Sequence, residues 1–198
     1  MTTGKESAGS VVEGDSFCEN GLVRGKNGLL VPAYVGSTLG YNHPGRMFLS
    51  KYFYPALSKT GIFPLCPFDS CSEFLDKEKL MGKEAIEGLE RDYEEAVRLI
   101  KFEQLMPKSK IMIALLEGAN VGRSLCAEIC HFAENIGPVI GIRSEMSLSG
   151  SDKSEIDPGL RYFLYKGPYK GYYFCGEEAY SQAFGLLGRI CNIIINGF

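Results

Sequence analysis

The sequence predicts an α/β fold in which a doubly wound parallel sheet carries helices on both faces. The first observation behind this prediction is that short apolar runs alternate with segments of helical periodicity along most of the chain. Such alternation is typical of parallel sheets whose strands are connected by helices. The second observation concerns motifs, because no GxGxxG follows the first apolar run and no GxxxxGK[ST] occurs. A dinucleotide-binding fold is therefore not favoured, and a P-loop is excluded.

The chain divides into a leader at 1–27 and a single domain at 28–198. The leader is rich in Gly, Ser, Thr and charged residues and has no hydrophobic period, so we expect it to be flexible, with partial order around 17–23. The first strand of the domain is predicted at 29–35. Pro32 lacks a backbone donor for the ladder, which places the effective start of this strand after it.

The remaining elements follow from the apolar runs and their period. After a loop at 36–46 that is dense in turn residues, four further strands are predicted at 62–65, 110–116, 137–142 and 171–175. In addition to a central helix, helices are predicted at 47–59, 83–105, 158–165 and 177–195. Five strands in this alternation favour a flavodoxin-like domain. The charges of the helix at 83–105 alternate with its apolar residues, which is typical of a solvated face.

The length and composition of the chain are those of a globular domain with a sizeable core. The chain has 198 residues, of which 45% are apolar and 23% are charged. With a formal net charge of −3, the chain lacks the excess of basic residues that is typical of nucleic-acid-binding proteins. No apolar run is long enough to span a membrane, and the amino end has no apolar signal segment. We therefore expect a cytoplasmic protein with no nucleic-acid and no membrane partner.

Seven cysteines are present, so at least one cannot pair within the chain. Cys66, Cys126, Cys130 and Cys191 lie in apolar segments, as buried structural thiols do. Cys126 and Cys130 share a helix face with His131 nearby, which suggests a metal site, but no second ligand pair follows at zinc spacing. We interpret these cysteines as structural thiols in a reducing compartment, and we expect neither a metal nor a cofactor.

The segment 117–133 connects two of the predicted strands and is the most informative part of the chain. It contains a helix pattern, with Gly122 allowing a sharp turn and Ser124 as a plausible cap. Glu128 lies one turn into this helix among apolar or small residues. A carboxylate there is favoured by the helix dipole, so it either faces a ligand at the carboxyl edge of the sheet or points to solvent.

Three separated segments together carry a family signature. The first reads YVGSTLGY at 34–41 and continues with Gly45 and Arg46. The second reads ALLEG at 114–118, then Val121 and AEI at 127–129, and the third reads GPVIGIRSE at 137–145, with SG at 149–150 and YF at 162–163. In this order and spacing they resemble the nucleoside 2-deoxyribosyltransferase family, whose segments have the forms YVASPLGF with GR, AxL[DE]G with VDxGTAxEIG, and GKPVIGYRxDxRxSG with EYF.

The resemblance implies a mechanism in which a glutamate attacks the anomeric carbon of a 2-deoxynucleoside and forms a deoxyribosyl ester. By position Glu128 would be this nucleophile, and a carboxylate suits attack on an oxocarbenium-like centre. Tyr34 would hydrogen-bond the nucleophile, although it could equally be a core aromatic. Gly36 would let the sugar approach the backbone, although it could simply belong to a turn. The resemblance further assigns substrate contacts to Leu39, Tyr41, Arg46, Lys110, Gly122, Arg123, Ser124 and Asp157.

The sequence also departs from the family pattern. Lys110 stands where an aspartate usually starts the third strand, and Gly122 with Arg123 stands where another aspartate precedes the helix. Asp157 falls near the asparagine that a neighbouring subunit lends to the sugar. The two cations could bind an anionic group, or they could point to solvent or pair with acids. Replacement proton donors could be Glu145, Asp157, Asp69, His43 or His131.

Three functions therefore stay open at this level. The first is transfer of a 2-deoxyribosyl group between nucleobases, the second is hydrolysis of the N-glycosidic bond of a nucleoside 5′-monophosphate, and the third is binding of a nucleotide without catalysis. The expected partners are a small-molecule nucleoside or nucleotide and a free nucleobase. A homo-oligomer, a dimer or higher, is expected because the family shares residues between subunits and because the chain ends in an apolar tail at 193–195.

Overall fold

The described residues form a mixed α/β structure around one mostly parallel sheet. A computed structural model describes residues 16–18, 20–26, 28–70, 95, 97–117, 121–144, 156, 158–166 and 168–197. Its strands are β1 (Ser16–Phe17), β2 (Val23–Gly25), β3 (Gly28–Ser37), β4 (Ile62–Leu65), β5 (Ile111–Leu115), β6 (Val139–Arg143) and β7 (Tyr172–Cys175). The predicted strands of the domain are all present, with boundaries shifted by one or two residues.

The sheet contains two more strands than the sequence predicts. Five parallel strands run in the order β4-β3-β5-β6-β7, and β1 and β2 form an antiparallel ribbon on the first part of β3. This ribbon lies in the segment assigned to the leader. It forms because Gly25 pairs with Gly28 and because Leu22 and Val23 are buried. A run this short has no alternation from which a strand could be predicted.

β3 passes through Pro32 without interruption, so the prediction that the strand begins after this residue is wrong. The pairing of β3 with β5 starts at Ala33, which lies opposite Ile111. The carbonyl of Pro32 accepts a hydrogen bond from the backbone of Lys110 at 2.9 Å. The missing N–H faces the same side of β3, where β5 has not yet begun, so its absence removes no bond from that ladder.

The helices lie between the strands in chain order. They are α1 (His43–Phe48), α2 (Tyr54–Lys59), α3 (Pro67–Ser70), α4 (Met106–Lys108), α5 (Arg123–Asn135), α6 (Pro158–Lys166) and α7 (Ala179–Asn196). Two π-helical stretches, Leu49–Phe53 and Leu99–Leu105, connect α1 to α2 and precede α4. No helix in the described ranges is long and apolar enough to cross a membrane.

The first helix begins four residues earlier than the sequence predicts. The prediction started it at Met47, where the apolar period begins. In the structure α1 starts at His43 because the side chain of Asn42 accepts a hydrogen bond from the backbone of Gly45 at 2.7 Å. Pro44 fits the first turn, where its missing N–H has no helical partner in any case. Of the helix predicted at 83–105, the part before residue 95 lies outside the described residues.

The core consists of two apolar layers, one on each face of the sheet. Alternate residues of β3 and β5 point to opposite faces. Val31, Ala33, Val35, Ile111 and Ile113 pack with α1, α2 and α7, whereas Tyr34, Met112 and Ala114 pack with α4, α5 and α6. This alternation directs the Tyr34 side chain toward α5. At the end of α7, Ile195 packs on the first layer, whereas Ile193 and Ile194 are exposed.

Glu117 ties the carboxyl end of β5 to the next strand and to α7. Its carboxylate accepts hydrogen bonds from the backbone and the hydroxyl of Ser144 and from the hydroxyl of Tyr180, each at 2.9 Å. Burial, and secondarily the charge of Glu117, raises the pKa of the Tyr180 hydroxyl, which therefore stays a donor. The sequence left open that Lys110 or Arg123 pairs with an acid such as Glu117, but the described partners of Glu117 are Ser144 and Tyr180.

Replacing Tyr180 with Phe should lower the free energy of unfolding by about 1–2 kcal/mol, because one donor to the half-buried carboxylate is lost while the ring remains. Urea denaturation measures this change. Tyr172→Phe is the matched control, since Tyr172 is 47% exposed, and it should leave stability unchanged. Equal stability of the two variants would show that the bond to Glu117 contributes nothing.

Candidate active site

A cleft opens where the carboxyl ends of the parallel strands meet α5. It contains about 290 Å³ of space not filled by atoms, part of which is open to solvent. β3 leads to β4 on one side, whereas β5 leads to β6 on the other, so the crevice lies where the strand order reverses. Ligands of open α/β sheets bind at such positions. The described lining comprises Ser37, Thr38, Tyr41, Pro67, Phe68, Lys101, Gly122, Ser124, Leu125 and Glu128.

Glu128 lies at the cleft on the buried face of α5. Its neighbours on that face are Leu125, Ile129 and Phe132, which pack against the sheet. The helix therefore holds the carboxylate inward, and only 3% of the residue is exposed. Of the two orientations that the sequence left open, the structure shows the one that faces the cleft.

Three side chains donate hydrogen bonds to the Glu128 carboxylate. The hydroxyl of Tyr34, at the middle of β3, donates to Oε2 at 3.0 Å. The ammonium of Lys101 and the hydroxyl of Ser124 donate to Oε1 at 2.6 and 2.9 Å. The two carboxylate oxygens are thus distinct, because Oε1 carries the charged partner and Oε2 accepts from a neutral phenol.

Lys101 belongs to the candidate site, although the sequence did not point to it. It was assigned to a solvated face, whereas in the structure it is 7% exposed and forms a buried ion pair with Glu128. Lys101 lies in the π-helical stretch Leu99–Leu105, whose wider turns change which residues face inward. One signal was available, because Lys101 follows Val97 by four residues and so continues the predicted apolar face.

A buried ion pair such as that of Lys101 and Glu128 carries a large desolvation free energy. Removing one partner of a buried pair typically costs about 3–5 kcal/mol, because the other charge is left without compensation. Replacing such a pair with apolar side chains is often neutral or stabilising. Protein stability therefore does not account for the pairing of Lys101 with Glu128. The position of the pair at the cleft favours a functional reason instead.

Ser124 does not cap the helix as the sequence suggested. The N-cap of α5 is Gly122, with φ −59° and ψ 142°, and among the described residues no side chain forms a capping hydrogen bond there. Ser124 lies in the first turn instead. Its hydroxyl donates to Glu128, one turn later, and accepts a hydrogen bond from Lys101 at 3.4 Å. Ser124 and Gly122 both line the cleft, as the predicted substrate contacts would require.

Gly36 lies beneath the carboxylate rather than among the residues that line the cleft. A methyl group added at Gly36 would lie 2.6 Å from Leu125 Cδ1, 2.8 Å from Met112 Cε and 3.4 Å from Glu128 Oε2. The absent side chain thus makes room for α5 and the carboxylate. The sequence assigned Gly36 to close approach of a sugar, but protein atoms occupy this space.

Aromatic residues form one wall of the cleft. The rings of Tyr41 and Phe68 meet edge to face, with 4.9 Å between their centroids, and Tyr41 is 65% exposed. Phe68 lies directly over Gly40, where an added methyl group would be only 2.1 Å from the ring. Leu39, which was predicted to contact substrate, packs on the core instead.

Three predicted substrate contacts are not among the residues of the described lining. Lys110 precedes β5 at the opposite end of the strand, and its ammonium lies close to Gly21 in the turn between β1 and β2. Arg46 and Arg123 are exposed and do not belong to the described lining. Asp157 lies outside the described residues, as does Glu145.

The other suggested proton donors also lie outside the described lining. His43 is exposed on α1, and the ring of His131 packs edge to face on Phe102 at 5.1 Å. Asp69 is exposed on α3, next to the aromatic wall. Partial burial raises the pKa of Asp69, although a hydrogen bond with Cys66 opposes this shift. Lys101 and Tyr41 are therefore the titratable residues that share the described lining with Glu128.

Cys66 and Cys191 have the properties of structural thiols, whereas Cys126 and Cys130 are only partly buried. Burial raises the pKa of Cys66 to about 12, with a further contribution from Asp69, and raises that of Cys191 to about 11. Such thiols stay protonated and are poor metal ligands. Within the ranges that the structure describes, no group of three or more His, Cys, Asp or Glu residues is placed to hold a metal ion.

Comparison with models of protein families finds no match, and comparison with curated proteins finds none either.

Gly36→Ala should lower the free energy of unfolding by about 1–3 kcal/mol, because its methyl group would displace Leu125 and Met112 in a packed core. Thermal and urea denaturation measure the loss. The control is Gly185→Ala in α7, where an added methyl group meets nothing within 4 Å and alanine favours the helix. A Gly36 variant as stable as this control would contradict the described packing.

Proposed function

We propose that this protein transfers a 2-deoxyribosyl group between nucleobases through a covalent intermediate on Glu128. The observation that carries the proposal is a single carboxylate, 3% exposed, that lines a cleft at the reversal point of a parallel sheet and is held there by three donors. A flavodoxin-like arrangement of the five parallel strands and the resemblance of three sequence segments to the nucleoside 2-deoxyribosyltransferase family support it.

The chemistry proceeds in two displacements at one carbon. Glu128 Oε2 forms a bond to the anomeric carbon while the bond to the base nitrogen breaks, and the bonding electron pair leaves with the base. The product is a deoxyribosyl ester of Glu128. A nitrogen of a second base then attacks the same carbon from the opposite side, and the carboxylate is released. Two displacements return the sugar to its original anomeric configuration.

The hydrogen-bond donors give the two carboxylate oxygens of Glu128 different roles in this reaction. Oε1 is bound by Lys101 and Ser124, which stabilise the ionised form that attack requires. Oε2 accepts one hydrogen bond, from Tyr34, among the described contacts, so a lone pair is left for the sugar. Because Ser124 and Tyr34 come from different elements, they fix the carboxylate plane before substrate binds.

The two exposed cations bear differently on the choice between a nucleoside and a nucleotide. The sequence raised hydrolysis of a nucleoside 5′-monophosphate because Lys110 and Arg123 could bind a phosphate. Lys110 lies near Gly21 at the other end of β5 and does not support that alternative. Arg123 is exposed between Gly122 and Ser124, which line the cleft, so a nucleotide stays an alternative substrate. The free nucleobase as second substrate, the homo-oligomer and the cytoplasmic location stay predictions.

Glu128→Gln should abolish base exchange between a 2′-deoxynucleoside and a different free base, with a loss of at least about 10³-fold, because the amide cannot form the ester. Chromatography of the bases measures exchange, and mass spectrometry of acid-quenched protein should find one deoxyribosyl group on the peptide that contains Glu128. Glu134→Gln, on the exposed side of the same helix, is the matched control and should retain full activity.

The products separate the alternatives. Free deoxyribose without exchange would identify a hydrolase, and release of a sugar phosphate would identify a nucleotide substrate. Ligand-induced stabilisation without turnover would identify a binding protein. Unchanged base release by the Glu128 variant would rule out Glu128 as the nucleophile.

A further inference from the structure

Lys101 is placed to do more than orient Glu128. Within the described lining of the cleft it carries the only cationic side chain, and its ammonium lies 2.6 Å from Glu128 Oε1. The charged end is also 3.4 Å from Ser124, which belongs to the same lining. Any base that leaves a sugar bound to Glu128 must therefore depart from a cleft that contains this ammonium.

Ester formation changes the charge balance around Lys101. Before the attack, the negative carboxylate and the positive ammonium neutralise each other in a buried environment. Once the carboxylate has become a neutral ester, the ammonium no longer has the negative charge of Glu128 beside it, while the residue is only 7% exposed. Loss of a neighbouring negative charge disfavours a buried cation, so the tendency of Lys101 to give up a proton rises as the base departs.

We propose that Lys101 is the proton donor for the departing base. This inference rests on the proposed glycosyl transfer and supplies the acid that the sequence leaves unassigned. As Oε2 bonds to the anomeric carbon, the electron pair of the broken bond goes to the base, and the base takes a proton from Lys101 Nζ. A carboxylate, an ammonium and a neutral nucleoside thus become a neutral ester, a neutral amine and a neutral base.

The second half of the cycle reverses this step. The amine of Lys101 accepts the proton that the incoming base loses as its nitrogen attacks the anomeric carbon. The carboxylate and the ammonium are restored together. The summed charge of Glu128, Lys101 and the substrate is therefore the same before each displacement and after it, which suits a buried pair.

The decisive variant is Lys101→Arg, because arginine keeps the positive charge but does not release a proton in proteins. A 2′-deoxypurine nucleoside is compared with its 7-methyl derivative, whose ring already carries a positive charge and whose base leaves without a proton. The variant should lose about 10²-fold or more in kcat with the unmethylated nucleoside, as expected for loss of a general acid. It should cleave the 7-methyl nucleoside at a rate close to that of the unaltered protein.

The 7-methyl substrate also controls for folding, since its cleavage requires an intact Glu128. Lys51→Met, an exposed lysine in the other π-helical stretch, should leave both substrates unaffected. As a second measurement that applies to any cleaved nucleoside, added ethylamine should restore part of the activity of Lys101→Ala. The assignment would be overturned if Lys101→Arg lost equal activity with both substrates, or kept full activity, and if ethylamine also failed to rescue Lys101→Ala. Lys101 would then be a positioning residue.

Failure of the proposed function would look different. If the unaltered protein released no base from purine or pyrimidine 2′-deoxynucleosides, and no deoxyribosyl group appeared on Glu128, the glycosyl transfer itself would be excluded. Cleavage by the unaltered protein, combined with a Lys101→Arg variant that loses no selectivity, would refute only the role of Lys101.

Discussion

The structure of the site depends on one buried negative charge. Glu128 is placed on the inner face of α5, and a carboxylate in that position requires partners. The partners come from three elements: the phenol of Tyr34 from β3, the ammonium of Lys101 from a π-helical stretch, and the hydroxyl of Ser124 from α5 itself. The space for this arrangement exists because Gly36 has no side chain where α5 crosses β3.

This arrangement gives the two carboxylate oxygens separate environments. Oε1 forms the ion pair with Lys101, whereas Oε2 accepts a hydrogen bond from the hydroxyl of Tyr34. An ion pair with no evident stabilising purpose, located at a cleft, is a common feature of sites whose charges change during a reaction. The aromatic wall of Tyr41 and Phe68 completes one side of that cleft with flat apolar surface.

Local sequence patterns predicted most of the sheet. They failed where strand pairing or helix capping determined the structure. The apolar runs located the five parallel strands because buried parallel strands are continuously apolar. They did not reveal the ribbon of β1 and β2, which pairs with the first part of β3. They also placed the start of α1 too late, since Asn42 and Pro44, rather than an apolar residue, mark its first turn.

By itself, the sequence determined which side chains of each element face inward near the site. The period of β3 directs Tyr34 to one face, and the family-like segments point to Glu128. Only the tertiary structure decided which distant residues join them. Lys101 reaches Glu128 because a wide helical turn packs against α5, whereas Lys110 is carried to the far end of β5. The physical reason is that periodicity specifies the direction of a side chain within one element, but the distance between residues of different elements depends on how those elements pack.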